Sequence, residues 1–392
     1  MAGINAPRVS GVSTDQLRRH NLSAILTLLH HAGSQPRSAL TAQTGLNRST
    51  VAALVAELAE YGLAHETDPD PTKQVGRPSP TVNADERTVA IAINPEVDAV
   101  TAGVVALGGK VVDRVRHETE QPPSARDAVA ISADLVQQLT AGFSADTRVV
   151  GIGVAVPGLV RVDDGLVRFA PHLEWTDEPI AALLSEATGL EVAVGNDASL
   201  GALVEHIYGV GSGVDDLIYL NGGPSGIGGG VIVRGSLLGG AGGYAGEFGH
   251  TRGGGAGDTD LESLVRRTDL LAAVGRAAAA PDELDELVLH SDDAAVLALV
   301  HRQLAALAPA LGDAINILNP QLIVLGGFLS TILERDPAYL DERVAAHSLA
   351  AAYDDVRIAR AALGSDLLLI GAAELTFAPL LADPAGYGRA RP

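Results

Sequence analysis

The sequence predicts a helical head over residues 1–84 joined to a larger α/β body over residues 85–392. Two patterns carry this. In the head, apolar residues recur at i, i+3, i+4 and i+7 in short segments broken by glycine and proline, the mark of amphipathic helices. In the body, strand-like apolar runs alternate with helical segments, which gives an α/β domain with mixed sheets. Charge divides the chain in the same place. The net charge is −21, yet residues 1–80 hold seven Lys/Arg against six Asp/Glu, and residues 1–56 hold five Arg against the single acid Asp15. An acidic body with a locally basic head suits a module that contacts nucleic acid, joined to a domain that repels the phosphate backbone.

Composition narrows the classes. Hydrophobic residues make up 47% of the chain, enough for a sizeable core. There is no cysteine, so neither a disulfide framework nor a thiolate metal site is available. No apolar run reaches the ~18 residues of a membrane helix, and no basic-then-apolar leader opens the chain. The expectation is a cytoplasmic protein with no membrane partner.

Taken in order, the head begins with a loose tail and a helix over residues 14–31, whose stripe is Leu22, Ile25, Leu26 and Leu29. Residues 33–36 break it. A short helix follows over residues 38–44, then a turn at Gly45. Asn47 is placed to cap a third helix carrying Val51, Leu54, Val55 and Leu58, with Gly62 just past its end. Three short helices with a glycine turn before the third make a helix-turn-helix pattern, and also any small helical bundle. In the former reading the third helix enters the major groove through Asn47, Arg48, Ser49 and Thr50, with Arg37, just before the short helix, as a further DNA contact. Residues 65–67 and 80–82 read as a β-ribbon, or wing, whose Gly76-Arg77-Pro78 tip presents Arg77 to a minor groove. Without the helix-turn-helix beside it, Arg77 reads as an ordinary solvated loop arginine.

In the body, strands are expected over residues 88–93, 99–107, 149–156, 191–194 and 322–325, with helices over 126–138, 178–187, 199–208, 297–318 and 366–377. Residues 222–250 hold thirteen glycines. They read as a glycine loop after the strand 217–220, a hairpin turned at Arg234-Gly235, and a polar end at Glu247 and His250. Ligands in such folds gather beyond strand ends. Three polar groups fall there: Asn196-Asp197, Glu247 with His250, and Glu262. Each also has a plain structural reading, as a helix cap, a surface carboxylate with a packed histidine, and a helix start. Together they are the groups that pair with sugar hydroxyls, and an Asp so placed can take a proton in phosphoryl transfer.

These residues resemble the ROK family of repressors, open reading frames and sugar kinases, and within it the regulator branch of xylose-operon repressors. The likeness rests on the Gly76-Arg77-Pro78 wing, the run from Gly151 to Val160 (GIGVAVPGLV), Ala170-Pro171-His172-Leu173-Glu174-Trp175, Asn196-Asp197-Ala198, Gly246-Glu247-Phe248-Gly249-His250 and Leu325-Gly326-Gly327. It implies a winged helix-turn-helix followed by an actin-like, two-lobed sugar-kinase fold (ribonuclease H-like). It further implies sugar contacts from Asn196, Asp197, Glu247, His250 and Glu262, with Gly158 beside the sugar. Asp197 matches the catalytic base of the family's kinases.

Departures from that pattern are equally specific. The kinase phosphate loop Asp-x-Gly-x-Thr is here Asn94-Pro95-Glu96-Val97-Asp98, in which a carboxylate crowds the place of ATP phosphates. The second glycine loop is Pro224-Ser225-Gly226, and Pro224 lacks an N–H donor. The family's zinc cysteines are replaced by residues 251–258. His172 stands where Asn is usual. The resulting expectation is a regulator, most simply a repressor of sugar-metabolism genes. Its partners would be double-stranded operator DNA and a sugar or sugar-phosphate effector. It would act as a homodimer or homotetramer, with no ATP, no metal and no catalytic residue in use. An alternative is a sugar kinase with an appended DNA-binding module.

Overall fold

The computed structural model describes residues 13–68, 79–252 and 259–389. Helix α1 (Thr14–Ala32) starts at a capping box in which Ser13 and Gln16 satisfy each other's backbone N–H groups. Its stripe of Leu22, Ile25, Leu26 and Leu29 is fully buried. A two-residue strand, β1 (Gln35–Pro36), leads into α2 (Arg37–Thr44), which ends on left-handed Gly45. Asn47 then caps α3 (Arg48–Glu60) by accepting from the Thr50 N–H at 2.8 Å. Strands β2 (Ala64–Thr67) and β3 (Thr81–Ala84) pair antiparallel, with His65 opposite Asn83. Residues 33–36 do more than break a helix: Gln35 and Pro36 pair with Val82 and Thr81, adding a third strand. The Gly76-Arg77-Pro78 tip lies outside the described residues.

The body contains two five-stranded sheets built on one plan. The first is formed by β4 (Thr88–Pro95), β5 (Ala99–Ala106), β6 (Lys110–Glu118), β7 (Arg148–Val156) and β11 (Val192–Asn196). Between its strands lie α4 (Ala125–Thr140), a small meander of β8 (Leu159–Arg161), β9 (Leu166–Ala170) and β10 (Trp175–Glu178), and α5 (Ile180–Thr188). Its order is β11-β7-β4-β5-β6, with β4, β7 and β11 parallel and β4, β5 and β6 antiparallel. Helix α6 (Asp197–Tyr208) leaves β11 and bridges to the second sheet. That sheet comprises β12 (Leu217–Gly223), β13 (Gly226–Val233) and β14 (Ser236–Leu237), then β15 (Leu322–Gly327) and β16 (Arg357–Arg360). Its order, β14-β13-β12-β15-β16, repeats the first: two antiparallel neighbours on one side of the leading strand, two parallel on the other. β4 is buried along its whole length, which is why its sequence is a continuous apolar run rather than an alternation.

Helices α7 (Leu261–Leu264), α8 (Arg267–Ala273), α9 (Pro281–Leu289), α10 (Ala294–Leu318), α11 (Phe328–Arg335), α12 (Pro337–His347) and α13 (Ala350–Tyr353) cover the second sheet. α10 has the length and apolarity to cross a membrane, with a mean hydropathy of 1.5 over its best window, although polar residues interrupt its apolar run in the sequence. Packing accounts for that apolarity: Val300, Leu304, Leu307 and Leu311 are fully buried in the core against this sheet. The chain then returns to the first sheet through α14 (Leu367–Ala382) and α15 (Pro384–Arg389), so the expected final helix is longer than residues 366–377 and is not the last. α14 brings the head and body together. Leu22, Ile25 and Leu26 of α1 belong to the same buried cluster as Leu369, Ala373 and Phe377 of α14 and Ala90 of β4.

Candidate functional site: a polar cleft at the strand ends

The residues expected to contact ligand meet in one cleft, about 660 Å³ of space open to solvent. One wall is the turn after β7, with Pro157 and Gly158, faced by Phe169 and His172 of the meander. Its floor is the junction of β11 and α6. The opposite wall holds Asn221, Ser225 and Gly226 around the β12–β13 turn, with Glu247, His250 and Glu262 beside it. Gly158, Asn196, Asp197, Glu247, His250 and Glu262 therefore all line it.

Asn196 and Asp197 are placed by the change from strand to helix. The Asn196 Oδ1 accepts from the Ser199 N–H at 2.8 Å, so the capping role is real. Its Nδ2 donates to the Gly158 carbonyl at 3.0 Å, so it also fixes the facing wall. The Asp197 Oδ1 accepts from the Ala198 N–H at 2.7 Å. Desolvation in the cleft floor, and then the nearby Glu247 carboxylate, push the Asp197 pKa up to about 7, against the pull of the Ala198 hydrogen bond. Glu247 is raised as well, by burial and by Glu262, with His250 opposing. Two carboxyls that hold protons more readily than usual can both donate to and accept from a polyhydroxyl ligand.

Glu262 reaches across from the first turn of α7. Its Oε2 accepts from the Ile227 N–H at 3.4 Å, and its Oε1 lies 3.8 Å from Nδ1 of the exposed His250. With Asp260 these two form a trio of possible metal donors within 4.8 Å of one another. The trio offers one imidazole and two carboxylates, and since the chain has no cysteine the family's closed thiolate site cannot form here. Backbone pairing joins the two ends of the neighbouring segment instead: Arg252 bridges Asp260, and the Leu261 N–H donates to the Thr251 carbonyl at 2.9 Å.

The glycine cluster serves packing. Residues 226–230 are the first half of strand β13, not a loop, and the chain turns sharply at Pro224-Ser225 between paired Gly223 and Gly226. β13 lies against α6 so closely that a Cβ on Gly230 would stand 2.6 Å from that of Ala202. The expected glycine loop is thus corrected to a strand; a glycine run gives no strand signal of its own.

The stretch that matches the kinase phosphate loop carries its own ion pairs. Glu96 and Asp98 both hold Arg116 of β6 in ion pairs, the second at 3.0 Å, and Glu96 also accepts from the Thr101 hydroxyl at 3.2 Å. A carboxylate paired in this way, at the position the resemblance gives to the kinase phosphate loop, is a poor seat for triphosphate oxygens. Arg116 was missed in the sequence because its partners are eighteen and twenty positions away. Phe169, 48% exposed at the cleft rim, and Asn221, at the end of β12, were missed too. Both sit at strand ends, the one signal that would have found them.

In the head, Asn47, Arg48 and Ser49 are exposed at the start of α3. Asn47 also accepts from the Ser49 hydroxyl at 2.7 Å. Arg37 is engaged by both oxygens of Glu66 on β2, so the ribbon holds it. Arg77 lies outside the described residues.

Comparison with known proteins follows the same division of head and body. A family profile described as the ROK family matches residues 90–378. A glucokinase of Halalkalibacterium halodurans is 29% identical over 292 residues, 68% of this chain and 88% of that one. A xylose repressor of Caldicellulosiruptor bescii is 25% identical over 372 residues, 89% of this chain and 93% of that one. Among solved structures, a ROK family transcriptional regulator, a homologue of the E. coli MLC protein, superposes with a TM-score of 0.76 at 20% identity, covering 95% of this chain and 99% of its own. A ROK family glucokinase from Streptomyces griseus, solved with glucose and AMPPNP, gives a TM-score of 0.61 at 25% identity, covering 73% of this chain and 98% of its own. The repeated sheets are thus the actin-like sugar-kinase fold.

Proposed function

The chain belongs to the ROK family, and from that premise we propose that it is a DNA-binding transcriptional regulator, a repressor of sugar-metabolism genes that responds to a sugar or sugar derivative in the cleft. The observation that carries this reading is that the stretch matching the kinases' phosphate loop holds Glu96 and Asp98 paired to Arg116, while the expected sugar-contacting residues line one open cleft. The likeness to a xylose repressor over 89% of this chain, more than the body alone spans, supports it.

In this reading residues 1–84 form a winged helix-turn-helix and residues 85–392 a ligand-binding ROK domain. Asn47, Arg48, Ser49 and Thr50 would meet base edges and phosphates, with Arg37 and the wing's Arg77 adding phosphate or minor-groove contacts. Gly158, Asn196, Asp197, Glu247, His250 and Glu262 would hold the sugar. Two copies are required for a palindromic site, since symmetric half-sites mirror a two-fold protein. Neither ATP nor zinc has a role. Fluorescence anisotropy tests the reading, using a duplex selected by the protein from a random pool, with and without D-xylose or D-glucose. Sugar-dependent release supports it; absence of DNA binding at low salt overturns it.

A second reading, a sugar kinase with a DNA-binding module, is favoured by one feature: burial pushes the Asp197 pKa up to about 7, near where a general base works best. Coupled ADP release with D-glucose separates the two. Sustained turnover that Asp197→Asn abolishes would establish the kinase.

A further inference from the structure

Far from the cleft, at the opposite end of α6, a buried carboxylate joins three elements. Glu374 of α14 is 4% exposed. Its Oε1 accepts from the Tyr208 hydroxyl at 2.9 Å and lies 2.8 Å from Nε2 of His30. Tyr208 is the last residue of α6, whose first residue is Asp197. His30 is fully buried on α1, the head's longest helix.

Resting on the regulator reading above, we propose that α6 and the Tyr208–Glu374–His30 hydrogen bonds form the relay that carries sugar occupancy of the cleft to the DNA-contacting head. A helix of 12 residues spans about 17 Å and moves as a unit. It is gripped along its length. The Glu205 Oε1 accepts from the Ala362 and Leu363 N–H groups at 2.9 Å each, tying α6 to the loop that precedes α14. A displacement of Asp197 by ligand is therefore delivered to Tyr208, then to Glu374 and α1. The sugar biases the head only to the extent that it binds the two arrangements differently.

The hydrogen-bond directions are fixed. Nδ1 of His30 accepts from the Gly108 N–H at 2.8 Å. In the neutral ring the proton therefore sits on Nε2 and points at Glu374. The tyrosine keeps its proton, because burial and the neighbouring carboxylate raise its pKa, so it too donates. The same geometry opposes a cation at His30, His31 and Glu374, since Nε2 has no lone pair to offer while Nδ1 is an acceptor. The β5–β6 turn is fitted between the two donors. Gly109 has φ +77° and sits under the Tyr208 ring, where a Cβ would lie 2.8 Å from the hydroxyl.

The test uses the full chain and two variants, Tyr208→Phe and Gly109→Ala, neither of which touches the cleft or the expected DNA surface. The readout is the ratio of DNA dissociation constants with and without saturating D-xylose or D-glucose. A coupling of about 5-fold or more is expected for the unaltered protein. Each variant should bring the ratio down at least about threefold while sugar affinity of the DNA-free protein, by calorimetry, stays within about threefold. Variants that bind sugar and still release DNA as the parent does would overturn the relay alone. A parent whose DNA affinity responds to neither sugar would overturn the regulator reading and the signal it assigns to the relay. A zinc-dependent rise in melting temperature that Glu374→Gln lacks would make the cluster a metal site and overturn the relay.

Discussion

Asn196 donates to the Gly158 carbonyl at 3.0 Å, so the strand that launches α6 is tied to the turn after β7. The same side chain caps α6. Asn196→Ala removes both bonds and should lower the unfolding free energy by about 1–2 kcal/mol. Asn196→Asp keeps the cap acceptor but sets an oxygen against the Gly158 carbonyl and the Asp197 carboxylate, so it should recover only part of that stability and bind sugar poorly. Urea unfolding and calorimetry on the two variants check this; equal stability of the variants would remove the capping argument.

Protonation of the cleft sets a pH dependence. Folded Asp197 holds its proton up to about pH 7, whereas an unfolded Asp releases it near pH 4. Between those values the folded state binds more protons, so its stability is greatest at the acidic end and falls as pH rises towards 7. Glu247 is shifted the same way and adds to the slope. Asp197→Asn should lose less stability than the parent between about pH 5 and pH 7.5 in urea melts. Identical slopes would contradict a raised Asp197.

The pair between Arg37 and Glu66 predicts a gain rather than a loss. Glu66→Gln removes one negative charge from the ribbon and releases Arg37, so DNA affinity should rise several-fold and its salt dependence steepen. Arg48→Ala should weaken binding about tenfold and reduce the salt slope by about one. Anisotropy titrations at several salt concentrations measure both. A Glu66→Gln protein that binds DNA no better would remove Arg37 from the interface.

Close contact between α6 and β13 makes Gly230 intolerant of a side chain. A Cβ there would also stand 3.0 Å from the Ala198 carbonyl, a backbone atom that cannot turn aside. Gly230→Ala should cost about 1–3 kcal/mol, as overpacking does. A melting temperature equal to the parent's would refute the tight seat of α6.

Much of the architecture was legible because periodicity and strand ends are local signals. The three head helices, the ribbon strands and most strands of the body fell close to their expected places. The cleft residues were legible because most fall near strand ends and because the family resemblance marks them. What was not legible depends on distant partners. Nothing in Glu96 announces Arg116, and nothing in the glycine run says that α6 presses on it. Nor does the helix 14–31 pattern reveal that His30 meets a glutamate 344 positions away. The small meander of β8 to β10 was also missed: its strands are three to five residues long, too short for an alternation to register.

The buried cluster shared by α1, α14 and β4 has a consequence for exchanging parts between related proteins. A chimaera spliced at residue 84 would strip Leu22, Ile25 and Leu26 from Leu369 and Phe377 and leave both faces wet. A transplanted head therefore has to arrive with a matching C-terminal helix. Exchange of one end of the chain alone would disturb this cluster, whereas substitutions at the exposed start of α3 would leave it untouched.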